Sequence, residues 1–220
     1  MTDVFTHPDT WSGGSFEIAL EFGPPSAECL RQALVSLWRH PTLQGCYLKY
    51  SLEPSEQNRV GPEEISLDGD GIVSVLRGIA ELPNGQRVAC CSDVVREEEG
   101  SDWLYFGVPM GALARAYPVG AFPFDDGSPL DWREIVSVWL RDIADAVYQT
   151  VPFRLGLVGC ILGVPVYATD VAISGIPQVR YEGYLWPENG ALQWYPPNQG
   201  ALITAVESVA ARLPSPPHPA

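Results

Sequence analysis

Three histidines, five cysteines and an excess of carboxylates are the groups in this chain that could move protons, attack a carbonyl or hold a metal. His7 precedes the first periodic segment and His218 sits in a proline-rich tail. Proton transfer near neutral pH would therefore rest on His40. His40 falls at the end of a predicted helix, where the helix dipole favours a protonated imidazole in a capping role. No G-x-S-x-G elbow accompanies it, so a serine or cysteine hydrolase built on His40 lacks its usual motif.

The cysteines (Cys29, Cys46, Cys90, Cys91, Cys160) form no C-x-x-C pair and are odd in number. A secreted disulfide framework is normally even and dense, so reduced thiols and a cytoplasmic location are expected. Cys90 and Cys91 are adjacent in a predicted strand and so point to opposite faces, unable to chelate one metal together. Cys46, after Gly45 and near His40, is the better nucleophile candidate by separation. Asp68-Gly69-Asp70-Gly71 resembles the start of a calcium loop, but Ile79 stands where the bidentate Glu belongs. Asp125-Asp126-Gly127 reads as a turn. Gly156, Gly159 and Gly163 do not match G-x-G-x-x-G and open no helix. No metal or cofactor is expected.

The aromatic residues and the acids are the stronger signal. Trp103, Tyr105 and Phe106, then Tyr181, Tyr184, Trp186, Trp194 and Tyr195, fall on predicted strands whose side chains alternate between faces. One face must be core, and aromatics on the other, beside carboxylates, would form a recognition surface. The acidic turn Glu97-Glu98-Glu99 with Asp102, Trp103 and Tyr105, together with Tyr184 and Trp186, is the candidate binding set. A second set, Glu17 and Glu21 on the first strand with Glu182 and Arg180 later, could line a small-molecule pocket.

Net charge is −14, with 27 acids against 13 bases. Up to Met110 there are 17 acids and 7 bases; from Gly111 onward, 10 and 6. Such a field repels phosphate backbones and anionic bilayers, which need Lys and Arg to displace counterions, so neither nucleic acid nor membrane is an expected partner. It attracts a basic protein. The leading expectation is a non-enzymatic acidic binding protein engaging such a partner, an immunity- or antitoxin-like neutraliser in its concrete form. The alternatives are a small-molecule binder or hydrolase with an aromatic and carboxylate-lined pocket, and a structural subunit of a homo-oligomer.

These residues need a scaffold, and the hydrophobic periodicity supplies one. Phe16, Ile18, Leu20 and Phe22 alternate with Glu17, Ala19 and Glu21, predicting a strand with one buried and one wet face. After Gly23-Pro24-Pro25, Ser26 caps a helix in which Leu30, Ala33, Leu34, Leu37 and Trp38 form one stripe, ended by Pro41. Residues 46–50 read as a strand and 54–70 as a polar loop. Hairpins are predicted across Pro83-Asn84-Gly85 and across 97–100, giving a meander over 79–108. A helix over 131–149 buries Trp132, Ile135, Val136, Trp139, Leu140, Ile143, Ala146 and Val147 and lies across the sheet, with Asp131 and Glu134 resembling a capping box.

Residues 155–162 form a continuous apolar run, a central strand buried on both faces. A hairpin over 181–186 and 192–195 and a last helix over 200–212 follow. The longest apolar stretch, 155–168, is broken by three glycines and a proline and falls short of the roughly 20 residues a membrane span needs. No signal peptide is visible. The expected architecture is a single α+β domain over 15–212, an antiparallel or mixed sheet with two to three amphipathic helices packed on it. A loose lead-in (1–14) precedes it and a disordered proline-rich tail (213–220) follows.

Overall fold

In a computed structural model of the protein, described for residues 3–98, 100–119, 131–161 and 166–199, the alternation of residues 15–23 becomes the central strand. This is β1 (Ser15–Gly23), followed by α1 (Ala27–Trp38), β2 (Leu43–Tyr47), β3 (Gly71–Glu81), β4 (Arg87–Arg96) and β5 (Asp102–Pro109). The short α2 (Met110–Leu113), the long α3 (Asp131–Thr150), β6 (Leu155–Gly159), α4 (Ala168–Ser174), β7 (Gly183–Glu188) and β8 (Ala191–Tyr195) complete the order. All eight strands form one sheet in the order β2-β3-β4-β5-β1-β6-β7-β8, and every pairing is antiparallel. The fold is a single-domain α+β fold with its helices packed on the sheet.

Ser26 caps α1 as expected, its hydroxyl accepting the Cys29 amide at 3.3 Å. Leu30, Ala33, Leu34, Leu37 and Trp38 of α1 are all buried. Together with α3, α1 covers the sheet face that presents Phe16, Ile18, Leu20, Leu104, Phe106 and Val158, and this is the main core. The stripe of α3 is rotated from its expected position. Ile135 is 45% exposed, while Arg133 and Ser137 are buried. Hydrophobicity alone places Ile135 inward; the Arg133 flank is buried instead, its guanidinium donating from Nη2 to the Tyr181 carbonyl at 3.2 Å.

The expected wet face of β1 is open only at its Glu17 end. Ala19 and Glu21, on the side away from α1 and α3, are buried as deeply as Ile18 and Leu20. A second, smaller cluster of Ala19, Trp103, Leu155, Leu157 and Tyr184 lies there, roofed by Ala168 and Val171 of α4. α4 has no clear sequence signature because only two of its seven residues are buried.

Other differences are local. β2 ends at Tyr47, and β3 begins at Gly71, well before the expected Ile79. The last hairpin turns on Asn189 (φ 52°) and Gly190 (φ 79°), both left-handed as a tight two-residue loop requires, so Pro187 and Glu188 belong to the strand. The lead-in is not loose from Val4 onward: Glu53 accepts the amides of Val4, Phe5 and Thr6, and Phe5 is in the core. Among the described residues no helix is long and apolar enough to cross a membrane. The expected helix over 200–212, the tail, and the Asp125-Asp126-Gly127 turn lie outside the described residues.

Candidate functional site

The antiparallel registers decide which side chains share the sheet face opposite α1 and α3. One row across the strands reads Arg77, Cys91, Gly107, Glu17, Gly159. The next reads Val75, Asp93, Tyr105, Ala19, Leu157, Tyr184. The third contains Val95, Trp103, Glu21 and Leu155. α4 covers the third row and part of the second; Glu17, Cys91 and Asp93 keep partial exposure.

Glu17 is flanked by glycines on both neighbouring strands, Gly107 and Gly159, so no side chain stands beside it in its row. A Cβ at Gly107 would come within 2.5 Å of Glu17 Cβ. Burial, and secondarily the charge of Asp93, pushes the Glu17 carboxyl up to about 8. Asp93 is also raised by burial, with Arg77 opposing the shift. Its Oδ1 is buried and takes no hydrogen bond among the described residues. Neither carboxylate joins an ion pair there; the three ion pairs are His7–Asp9, Arg96–Asp102 and Arg154–Glu21. Arg77 is engaged elsewhere, donating to the Leu48 carbonyl at 2.7 Å with its guanidinium 5.3 Å from the Tyr50 ring and 5.8 Å from the Trp11 ring. Burial raises the Cys91 thiol and the Tyr105 hydroxyl on the same face to about 12. Both stay protonated at neutral pH. Beyond Gly159, Glu182 is raised by burial as well.

The acidic-turn set is used differently. Asp102 is buried, accepting the Ser26 amide at 2.6 Å and Arg96 Nε at 3.0 Å. Glu97 accepts the Ser101 amide at 2.9 Å and the Tyr167 hydroxyl at 2.8 Å. Trp103 is fully buried, with ring centroids 6.0 Å from Tyr105 and 5.8 Å from Tyr167. Tyr184 is buried, Tyr105 and Trp186 are half-buried, and Glu98 is exposed; Glu99 lies outside the described residues. Turn acids and aromatics thus hold α4 and α1 to the sheet and leave Glu98 facing solvent.

Of the second set, Glu21 is buried and accepts the Ala168 amide at 2.6 Å and the Ser101 hydroxyl at 2.8 Å. Arg180 donates to the carbonyls of Pro196 and Pro177. Both are scaffold. Glu17 and Glu182 are the members that share a free side of the sheet, and Asp93 and Cys91 join them. The partnership of Asp93 with Glu17 depends on strand order and so is not legible in the sequence; the available sign is an acid between Ser92 and Val94, both of which point into the core.

His40 is bound through Nδ1 to the Thr42 hydroxyl at 2.8 Å, and burial lowers its basicity despite Asp142, so the imidazole is neutral rather than a protonated cap. Cys46 is buried and its thiol is pushed up to about 12, which removes nucleophilic character. All five cysteines are free. Among the described residues no three His, Cys, Asp or Glu side chains are placed to hold a metal ion. No family model, curated protein or solved structure matches the chain.

Proposed function

We propose that the protein is an acidic binding protein whose open sheet face, centred on Glu17 and Asp93, receives a lysine or arginine of a basic protein partner. The observation that carries this reading is the pair of carboxylates on one face with neither an ion pair nor a hydrogen bond among the described residues. A buried carboxylate is costly to ionise until a cation meets it, so an incoming basic side chain displaces the Glu17 proton and gains a Coulomb attraction that offsets the desolvation. The net charge of −14 steers such a partner from a distance. A neutraliser that blocks the cationic site of a basic toxin such as a nuclease is the concrete form.

The test compares the tagged full chain with a Glu17→Gln/Asp93→Asn variant as bait in its native cytosol, at low and high salt. A basic protein is expected on the wild type at low salt, weakened by high salt and by the double substitution. Recovery of the bait alone, or of a partner indifferent to both substitutions, rejects the reading.

The position of Glu17 near 8 favours a second reading, a small-molecule binder or hydrolase in which Glu17 exchanges protons. It predicts turnover that depends on Glu17 and does not require a protein partner.

A further inference from the structure

The segment after β8 faces α3 across a groove of about 460 Å³ whose lining includes Arg133, Ser137, Val138, Arg141, Trp194 and Pro197. Its size is that of a small-ligand site. In a chain with twice as many acids as bases, the groove gathers two guanidinium groups from one face of α3, and Glu134 is its one lining carboxylate. Arg141 is the distinctive member. Its Cζ lies 4.9 Å from the Trp194 ring centroid, and its Nε is buried with no acceptor among the described residues. No carboxylate there lies within ion-pair distance of it, although Asp145 is close enough for the two charges to interact. A buried N–H donor without an acceptor is costly, and an ionised acceptor is the strongest remedy.

The opposite wall is fixed before any ligand arrives. Arg180 donates through Nε to the Pro196 carbonyl at 2.9 Å and through Nη1 to the Pro177 carbonyl at 2.8 Å. Asn198 accepts the Arg180 amide at 2.8 Å and donates through Nδ2 to the Gln178 carbonyl at 2.7 Å. A preformed wall lowers the ordering cost of binding. Trp194, Pro196, Pro197 and Val138 supply the groove's apolar surface.

We propose that this groove binds a small monocarboxylate with an apolar body. The carboxylate accepts from the Arg141 guanidinium, which lines the groove, and the body lies against Val138 and the two prolines, beside the indole that Arg141 already covers. The site is separate from the open face and stands or falls independently of it.

The probe is benzoate, with benzamide as its neutral isostere, titrated at millimolar concentration into the 15N-labelled full chain while the Trp194 indole N–H resonance is followed. Benzoate is expected to shift that resonance saturably and to bind about tenfold or more tighter than benzamide, the advantage of an ionised acceptor. Arg141→Gln is expected to bring benzoate down to the benzamide level. Val138→Glu, an exposed helix position, is expected to weaken benzoate while leaving the fold intact. Equal binding of the two probes, absence of a saturable shift, or benzoate binding unchanged by Arg141→Gln overturns the proposal. The comparison of the two probes on the unmodified chain decides it even if a variant fails to fold.

Discussion

The hydroxyl of Tyr167 donates to Glu97 Oε1 at 2.8 Å and thereby joins the start of α4 to the turn between β4 and β5. The residues are 70 apart in sequence, yet this bond and the Ala168 amide on Glu21 at 2.6 Å hold the same turn of α4 over Trp103. The part of the second sheet face around Trp103 is therefore closed by polar clasps around an apolar centre, while Glu17 and Asp93 keep partial exposure.

Removing one clasp should loosen α4 without unfolding the sheet. Tyr167→Phe keeps the ring against Trp103 and deletes only the hydroxyl, so a loss of about 1 kcal/mol is expected. Amide exchange should accelerate in 167–175 and remain slow in β1 and β5. Uniform acceleration across the sheet would show that α4 is not a separable unit.

Asp102 carries more. It is fully buried between the Ser26 amide and Arg96 Nε, and Arg96 also donates to the Leu67 carbonyl at 2.8 Å. Asp102→Ala strands a largely buried guanidinium and frees the chain entering α1, so about 3 kcal/mol is expected to be lost in urea unfolding. Asp102→Asn, which keeps an acceptor for Ser26, should lose less. Equal losses would mean that the charge on Asp102 contributes nothing.

Gly78 is required by α1 rather than by its own backbone. A Cβ there would overlap Trp38 Cζ3 and stand 2.7 Å from the Gln44 carbonyl oxygen. Trp38 cannot move aside freely, since its Nε1 donates to the Ser92 hydroxyl at 3.0 Å in the core. Gly78→Ala is expected to cost about 2 kcal/mol, in the range of overpacked cores, despite the usual gain in strand propensity from replacing glycine. A Gly78→Ala chain as stable as the wild type would show that the indole repacks.

The contrast between these residues explains what the sequence made legible. Period-two and helical patterns identified β1, α1, α3 and the meander, because those elements bury a regular face whose apolar residues are neighbours in sequence. The capping Ser26 was readable for the same local reason. The partners of Glu97, Asp102 and Glu21 were not, since each is decided by which strand lies next to which. An acidic run such as 97–99 looks solvated in sequence whether or not its carboxylates later find Tyr167 and Ser101. Glu17 on a predicted wet face was visible as an acid, but its isolation between Gly107 and Gly159 exists only in the register of β5, β1 and β6.

Glu17 supplies a pH signature. Its carboxyl has a reference value of 4.5 and is pushed up to about 8 in the fold, chiefly by burial. Between those values the folded chain holds a proton that the unfolded chain has released. By linkage, stability must then fall as pH rises through that window and level off above it, the reverse of an ion-paired carboxylate. Glu17→Gln mimics the protonated form and removes this contribution. Urea unfolding of both chains across about pH 4.5 to 8 should show the wild type losing stability relative to Glu17→Gln as pH rises, with little difference at the acidic end. Parallel profiles would place the Glu17 carboxylate in a solvated environment and remove the desolvation argument for a basic group docking beside it. A basic partner that holds Glu17 ionised should flatten the wild-type profile, which links the stability measurement to the binding face.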